Sequence, residues 1–299
     1  MKSPLRPNAL ILGFLSILSL FSTACKKPLA ENQNLIHSAM TIDHRERTFY
    51  LYLPESLKAD APLVFVLHGY TDNARNMMES TGMNTLADKY GFAVCYPQGL
   101  TDSSKNTFWQ VGYSFHQNME VDDVSFLSTL ALHLQSEYRF SKTRTFATGM
   151  SNGGDMCNML ACQASDIFKA VAPVAGCMMK GIFDSCAQSS PIPVFMTNGN
   201  ADPITWWEGD MADKQGYGPY LSVEENLQFH IARNNCSLVA DSDTLIPEND
   251  TPVITQKYIH SAIGHQVWMY TVENGKHDWP VMEGEFDIAE EIWKFFSVF

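Results

Sequence analysis

From about residue 40 the chain alternates between short apolar runs and longer amphipathic stretches. Continuous apolar runs such as 62–67 (PLVFVL) and 92–96 (FAVCY) are typical of strands buried on both faces of a parallel sheet. Residues 74–90 and 122–138 instead repeat their apolar positions at helical spacing. This alternation predicts an α/β fold with a mostly parallel central sheet and helices on both faces.

Other segments extend the same pattern. We predict one strand over 41–53, a strand pair over 253–260 and 266–272, and a closing amphipathic helix over 285–296. Because no internal repeat or low-complexity tract interrupts the alternation, residues 40–299 are predicted to form a single domain.

The first 39 residues have a different pattern. Lys2 and Arg6 precede an apolar run over 9–21, and small residues then lead to Cys25. This arrangement resembles a bacterial lipoprotein signal, and the run is shorter than the roughly 20 residues of a membrane span. We predict a signal peptide over 1–24, a lipid on Cys25 that anchors the protein to a membrane, and a polar tether over 25–39. The protein is then exported; plain secretion and an uncleaved anchor are the alternatives.

Charge and cysteine content narrow the possible functions. The net charge of −13 argues against nucleic-acid binding, which needs a basic surface. Six of the seven cysteines remain beyond Cys25, and an even number in an exported protein suggests disulfides. Cys177 and Cys186 bracket a short loop and are the expected pair, whereas Cys95 lies in an apolar run and could be a buried hydrophobic residue. With no C-x-x-C or H-E-x-x-H motif, no metal site is predicted.

The candidate chemistry centres on residues 149–153, a G-x-S-x-G between a strand-like run and a helix-compatible run. A nucleophile elbow has this context, since its glycines allow a sharp strand-to-helix turn that holds the serine at the helix N-terminus. We therefore predict Ser151 as a nucleophile. The alternative is a Gly-rich loop in which Ser151 only caps the helix.

A nucleophilic serine needs a base, and the base needs an acid that orients it. Asp202 follows an apolar strand in an exposed turn, and His277 lies in a glycine-containing loop after the last strand. This order, Ser then Asp then His, is that of α/β-hydrolases. Asp202 could instead only stabilise its own turn. The competing residues, which lie in less suitable contexts, are Asp184, Asp210, Asp213, His230, His260 and His265.

Two further sets of residues complete the predicted site. The backbone N–H groups of Asn152 and Tyr70 are expected to form an oxyanion hole, with Thr71 as the alternative to Tyr70. Three aromatic residues, Trp109, Trp206 and Trp207, are candidates for a substrate wall that stacks on a feruloyl ring or a sugar. For each of them, ordinary core packing is the alternative.

Several segments together resemble one family across residues 40–299. They are LHGYTDNA, GFAVCYPQG, TFATGMSNGGDMCNMLAC, FKAVAPVAG, NGNADP and KHDWP. The family is that of bacterial and fungal esterases that includes polyhydroxybutyrate depolymerases and feruloyl esterases. The resemblance implies an α/β-hydrolase fold in which Ser151, Asp202 and His277 fall on the nucleophile, acid and base positions.

The activity implied by this resemblance is hydrolysis of carboxylic esters through an acyl-enzyme, with no cofactor. The expected substrates are small-molecule or oligosaccharide-linked esters of feruloyl, acetyl or hydroxyalkanoate type. Lys276 stands where the family usually has glycine, and Trp206-Trp207 replaces its usual continuation after the acid; both departures fall at the expected acyl or leaving-group pocket. A peptidase of the same fold and an inactive binding lipoprotein are the alternatives.

Overall fold

A central sheet of ten strands organises the protein. The structure is a computed structural model and describes residues 34–186, 189–246, 251–282 and 285–299. The strands of this sheet are β1 (Leu35–Ile42), β2 (Arg45–Tyr52), β3 (Leu63–Leu67), β4 (Ala93–Pro97), β7 (Thr145–Met150), β8 (Ala170–Val174), β9 (Val194–Gly199), β10 (Asp241–Leu245), β11 (Val253–Tyr258) and β12 (Val267–Val272). Two short hairpins lie outside it: β5 (Leu100–Thr101) with β6 (Thr107–Phe108), and β13 (Val281–Met282) with β14 (Phe286–Asp287). The helices are α1 (Ala74–Ser80), α2 (Met83–Tyr90), α3 (Asp123–Tyr138), α4 (Asn152–Gln163), α5 (Lys180–Ser185), α6 (Val223–Arg233) and α7 (Ile288–Phe296).

The sheet order is β1-β2-β4-β3-β7-β8-β9-β12-β11-β10. Strands β4, β3, β7, β8, β9 and β12 are parallel, and an antiparallel pair extends each edge. Successive residues of β3 face opposite cores: Leu63, Phe65 and Leu67 belong to one apolar cluster, while Val64 and Val66 belong to the other. Both faces of the sheet are therefore covered, which confirms the predicted α/β-hydrolase fold.

The N-terminal strand prediction is wrong in its bounds. Instead of one strand over 41–53, β1 and β2 form an antiparallel hairpin whose turn is Asp43-His44, at φ 49° and 62°. The sheet already begins at Leu35, so residues 35–39 belong to an edge strand and not to a tether. The predicted signal peptide, Cys25 and residues 26–33 of the tether lie outside the described residues.

The helix predicted over 74–90 is two helices. Thr81 ends α1, with its N–H and hydroxyl both donating to the Met77 carbonyl at 3.1 and 2.7 Å. Gly82 then adopts φ 70° before α2 begins. Since that conformation is favourable only for glycine, the chain turns here while the apolar spacing continues across the break.

The predicted Cys177–Cys186 pairing is also wrong. Cys186 is bonded to Cys162 at the end of α4, with a Cα–Cα distance of 4.7 Å. The short helix α5 separates Cys186 from Cys177 and carries it back onto α4, whereas the Cys177 thiol is free and buried. Cys95 is likewise free and buried within β4.

None of the helices in the described ranges is long and apolar enough to cross a membrane.

Candidate active site

Ser151 occupies a strained turn between β7 and α4, with φ 56° and ψ −122°. Such values are uncommon for residues with a side chain and are typical of functional sites. The turn needs glycine at its flanks: a Cβ on Gly153 would lie 2.4 Å from the Leu67 carbonyl oxygen, and one on Gly149 would lie 2.8 Å from Gly153. The Ser151 side chain makes no capping bond to α4. The alternative of a simple helix cap is therefore wrong.

Asp202 and His277 form a hydrogen-bonded pair. His277 Nδ1 lies 2.7 Å from Asp202 Oδ2, and the carboxylate is buried. The other oxygen of Asp202 accepts the N–H groups of Ile204 and Thr205 at 2.7 and 3.0 Å. Asp202 thus stabilises its own turn and also orients the histidine, so the two interpretations of this residue are compatible.

The loops that carry this pair are in direct backbone contact. A Cβ on Gly199 would lie 2.3 Å from the Gly275 carbonyl oxygen, and the Ala201 N–H donates to that carbonyl at 3.1 Å. Lys276, which departs from the family pattern, donates through Nζ to the Ala201 carbonyl at 3.3 Å. The lysine therefore joins the acid loop to the histidine loop.

Ser151 and His277 line one cavity of about 380 Å³. Its other walls are Tyr70, Thr71, Tyr113, Asp155, Cys177, Ile204, Thr205, Tyr217 and Tyr220. No hydrogen bond joins Ser151 to His277, although the structure describes both residues; such contacts are often long until substrate binds. The structure therefore brings the predicted nucleophile and base to one cavity, with Asp202 behind the base.

The predicted oxyanion donors flank Ser151. Asn152 begins α4, where no helical carbonyl can accept its N–H, and its amide exchanges bonds of 2.7 and 3.1 Å with the Trp109 backbone. Within the described residues the Tyr70 N–H has no acceptor. The Thr71 N–H donates to the Thr107 carbonyl at 2.9 Å, so the alternative donor Thr71 is excluded.

Trp109 does not form the cavity wall, and that prediction is wrong. Its side chain is fully buried, and its indole N–H donates to the His68 carbonyl at 2.9 Å. His68 Nε2 accepts the Gly99 N–H at 2.9 Å, and burial lowers the pKa of His68 to about 4. Trp109 and a neutral His68 therefore support the loop of Tyr70 from behind.

Trp206 and Trp207 lie beside the acid and outside the Ser151 cavity. Both are partly buried and line an open groove that also includes Asp202. Its remaining residues are Asn200, Glu208, Ile254, Gln256, Thr271 and Glu273. These tryptophans remain candidates for contact with the part of a substrate that extends beyond the cavity.

Asp155 is a residue of the cavity that sequence reasoning missed. It lies four residues after Ser151 on α4 and is buried, accepting the Tyr113 hydroxyl and the Cys177 N–H, both at 2.6 Å. Burial raises its pKa to about 6 despite these bonds. An acidic residue one turn beyond the nucleophile, in a helix with no other charged residue, is the signal that could have found it.

Two of the competing histidines have other partners, and the third lies at the surface. His230 is buried against Asn158 at 3.2 Å, His265 contacts Asn234 at 2.8 Å, and His260 is exposed. Among the residues that the structure describes, no cluster of three or more His, Cys, Asp or Glu is arranged to hold a metal ion.

Comparisons with known proteins point to one family. The profile of a family described as esterase PHB depolymerase matches residues 47–241. The chain is 26% identical over 209 residues to the bifunctional acetylxylan esterase/xylanase XynS20E of Neocallimastix patriciarum, covering 70% of this chain and 27% of that protein. It is 25% identical over 243 residues to feruloyl esterase B of Piromyces equi, covering 80% of this chain and 42% of that one. The chain thus spans less than half the length of either relative.

A solved structure matches at the level of the fold. An acetyl xylan esterase from Aspergillus awamori aligns with a TM-score of 0.66 at 15% identity, over 89% of this chain and 99% of that one.

Proposed function

The chain belongs to the esterase and PHB depolymerase family, and from this we propose that it hydrolyses carboxylic esters through a Ser–His–Asp acyl-enzyme mechanism. The observation that carries the proposal is the cavity in which Ser151, on a strained elbow, and His277, bonded to Asp202 at 2.7 Å, are both exposed to a ligand. The mechanism needs no cofactor.

His277 acts as the base. Asp202 accepts a hydrogen bond from Nδ1–H and keeps the proton on Nδ1, which leaves Nε2 free to take the Ser151 proton as the hydroxyl attacks the ester carbonyl. The same proton then goes to the departing alcohol. Water repeats the cycle on the acyl-enzyme and releases the acid.

The N–H groups of Asn152 and Tyr70 hold the oxyanion. Two observations support this assignment: both N–H groups flank Ser151, and neither donates to a carbonyl of the described chain. Donors already aligned for the developing charge contribute about 3 to 4 kcal/mol each to transition-state stabilisation in other acyl-transfer enzymes.

The cavity favours an acyl group larger than acetyl. Four tyrosine rings line its volume of about 380 Å³: Tyr70, Tyr113, Tyr217 and Tyr220. Within the described residues the Tyr217 hydroxyl has no partner, so it is available to a polar substituent of the substrate. We propose an aromatic acid such as a hydroxycinnamoyl group in the cavity, and a sugar leaving group against Trp206 and Trp207.

The proposed substrate is thus an oligosaccharide-linked or small soluble ester. The names of the relatives, an acetylxylan esterase and a feruloyl esterase, support esters carried on polysaccharide. We further propose export with a lipid on Cys25, based on the N-terminal sequence alone.

The test is ester hydrolysis by purified residues 26–299, with Ser151→Ala and the surface control Ser242→Ala beside the wild type. The substrates are methyl ferulate, acetylated xylo-oligosaccharide, hydroxybutyrate oligomers and nitrophenyl acetate. We expect the wild type and Ser242→Ala to hydrolyse methyl ferulate fastest and to be labelled by a fluorophosphonate, and Ser151→Ala to do neither.

Equal rates for Ser151→Ala and the wild type would contradict the role of Ser151. Faster cleavage of aminoacyl-nitroanilides than of esters would favour a peptidase, and failure of the folded wild type to react with any of these compounds would favour a binding protein.

A further inference from the structure

The oxyanion donor Tyr70 is held by a second structural element, the Asp102 hairpin, formed by β5, residues 102–106 and β6. We propose that this hairpin positions the Tyr70 N–H for transition-state binding, through the bond between the Tyr70 hydroxyl and Asp102. The inference rests on the proposed function and assigns Asp102 as a positioning residue.

The Tyr70 side chain is fixed at its hydroxyl. That hydroxyl donates to Asp102 Oδ2 at 2.7 Å and accepts from Asn106 Nδ2 at 2.8 Å. Since its proton is committed to Asp102, the hydroxyl is poorly placed to donate to a substrate. Its role is therefore to anchor the ring, and with it the backbone of the loop that contains the free Tyr70 N–H.

The following two residues are tied to the same hairpin. Thr71 has φ 70°, an unfavourable conformation for a β-branched residue, and its N–H donates to the Thr107 carbonyl at 2.9 Å. The Thr107 hydroxyl donates in turn to the Asp72 carbonyl. Three consecutive residues of the loop therefore depend on one hairpin, and a strained conformation held by its surroundings is typical of a functional site.

Asp102 is itself rigidly placed and charged. Its Oδ1 accepts the N–H groups of Ser104 and Asn106 at 2.8 and 2.9 Å, and His116 Nε2 lies 3.2 Å from Oδ2. Burial alone would raise the pKa of Asp102, but the hydrogen bonds to it outweigh burial and lower the pKa to about 2. The carboxylate is therefore an acceptor for Tyr70 at any pH near neutral.

His116 is a second partner of the carboxylate oxygen that accepts from Tyr70. It is buried, with its ring centroid 4.1 Å from that of Phe108 and 4.5 Å from that of Phe115. Asp102 Oδ2 is therefore held by a second, buried partner besides Tyr70, and the two rings lie 5.8 Å apart, which limits the freedom of the carboxylate to move away from the tyrosine.

The experiment compares Tyr70→Phe and Asp102→Asn with Tyr52→Phe. Tyr52 makes the same type of bond, from its hydroxyl to both oxygens of Asp88 at 2.9 Å, on β2 away from the cavity. We expect Tyr70→Phe and Asp102→Asn to lower kcat on methyl ferulate about 10- to 100-fold with KM nearly unchanged, because the donor acts on the transition state. In the same two variants, affinity for a boronic-acid transition-state analogue should fall by the same factor. Tyr52→Phe should change neither kcat nor this affinity.

A rise in KM at constant kcat in Tyr70→Phe would overturn the inference and make Tyr70 an ordinary wall residue; unchanged kinetics would also overturn it. Tyr70→Phe removes only the hydroxyl and keeps the ring and the backbone N–H. This variant is therefore a sufficient test of the inference if Asp102→Asn does not fold. Both of these outcomes differ from failure of the proposed function, because the wild type would still hydrolyse esters and would still be labelled at Ser151.

Discussion

Asp202 combines two tasks that are usually considered separately. Oδ1 closes its own turn through two backbone N–H groups, while Oδ2 accepts from His277. Substitution by asparagine would keep an oxygen for the turn but present an NH₂ group to His277 Nδ1. The imidazole would then have to carry its proton on Nε2, which is the wrong tautomer for a base.

Asp202→Asn is therefore expected to preserve the fold and to lower kcat by about 10⁴-fold, the effect of the equivalent change in serine proteases. The measurement is kcat on methyl ferulate together with the midpoint of thermal unfolding. Asp184→Asn is the control, since Asp184 is exposed and, among the described residues, is paired only with Lys180. Comparable losses in both variants would contradict the assigned role of Asp202.

Asp155 makes stability depend on pH. Its pKa is about 6 in the folded protein against an ordinary value of 3.8, so between these values the folded state holds a proton that the unfolded chain has lost. The contribution of Asp155 to the free energy of unfolding therefore falls as pH rises from about 4 to 6. Above pH 6, keeping the buried carboxylate ionised costs about 3 kcal/mol.

Asp155→Asn should remove this cost. We expect the variant to be more stable than the wild type at pH 8 by up to about 3 kcal/mol, with the advantage shrinking toward pH 4. Urea unfolding at both pH values measures it, with exposed Asp184→Asn as the control. An advantage of the same size at both pH values would show that packing, and not ionisation, is responsible.

At the residue scale, the sequence predicted those site residues whose position in space follows from their position directly after a strand. Ser151, Asp202 and His277 each follow a predicted strand of a parallel sheet, and the carboxyl ends of such strands meet at one edge. Asp155 was missed because its partner Tyr113 lies 42 residues away on an irregular loop. Trp109 was misplaced because composition does not distinguish a buried indole from one that lines a cavity.

The elements were predicted well where burial is continuous and poorly where a turn interrupts a regular pattern. Strands β3 and β4 are apolar throughout and lie within one residue of the predicted runs. The β1–β2 turn lacks the asparagine–glycine signal of tight hairpins, since Asp43-His44 occupies it at positive φ. Its left-handed backbone could not be inferred from those residue types.

The break between α1 and α2 provides an element-scale prediction. Gly82→Ala should destabilise the protein by about 1 to 2 kcal/mol, because φ is 70° there although a Cβ would meet no atom nearer than 3.9 Å. Gly181→Ala is the matched control, since Gly181 lies within α5 at ordinary φ with no neighbour within 4 Å, and it should be neutral or stabilising by up to about 1 kcal/mol. Thermal unfolding compares the two, and equal effects would contradict a backbone origin.

At the scale of the whole molecule, the Cys162–Cys186 disulfide joins α4 to the residue directly after α5, across 24 residues. Closing a loop of that length in the unfolded chain is worth about 3 kcal/mol. We expect reductant, or the double change Cys162→Ala and Cys186→Ala, to lower the unfolding midpoint by several degrees. Cys177→Ala should retain the response to reductant, because that thiol is free; loss of the response in Cys177→Ala would favour the other pairing.

The order of the strands also places the nucleophile Ser151 far from the β1 edge of the sheet. Ser151 follows β7, and β1 lies four strand spacings away, about 19 Å at the usual separation. A solid support coupled through β1 would hold the protein by a part that contributes no residue to the cavity. Immobilisation through that edge should therefore leave turnover per molecule close to its value in free solution, whereas coupling through Lys276 would break the bond from its Nζ to the Ala201 carbonyl, next to His277.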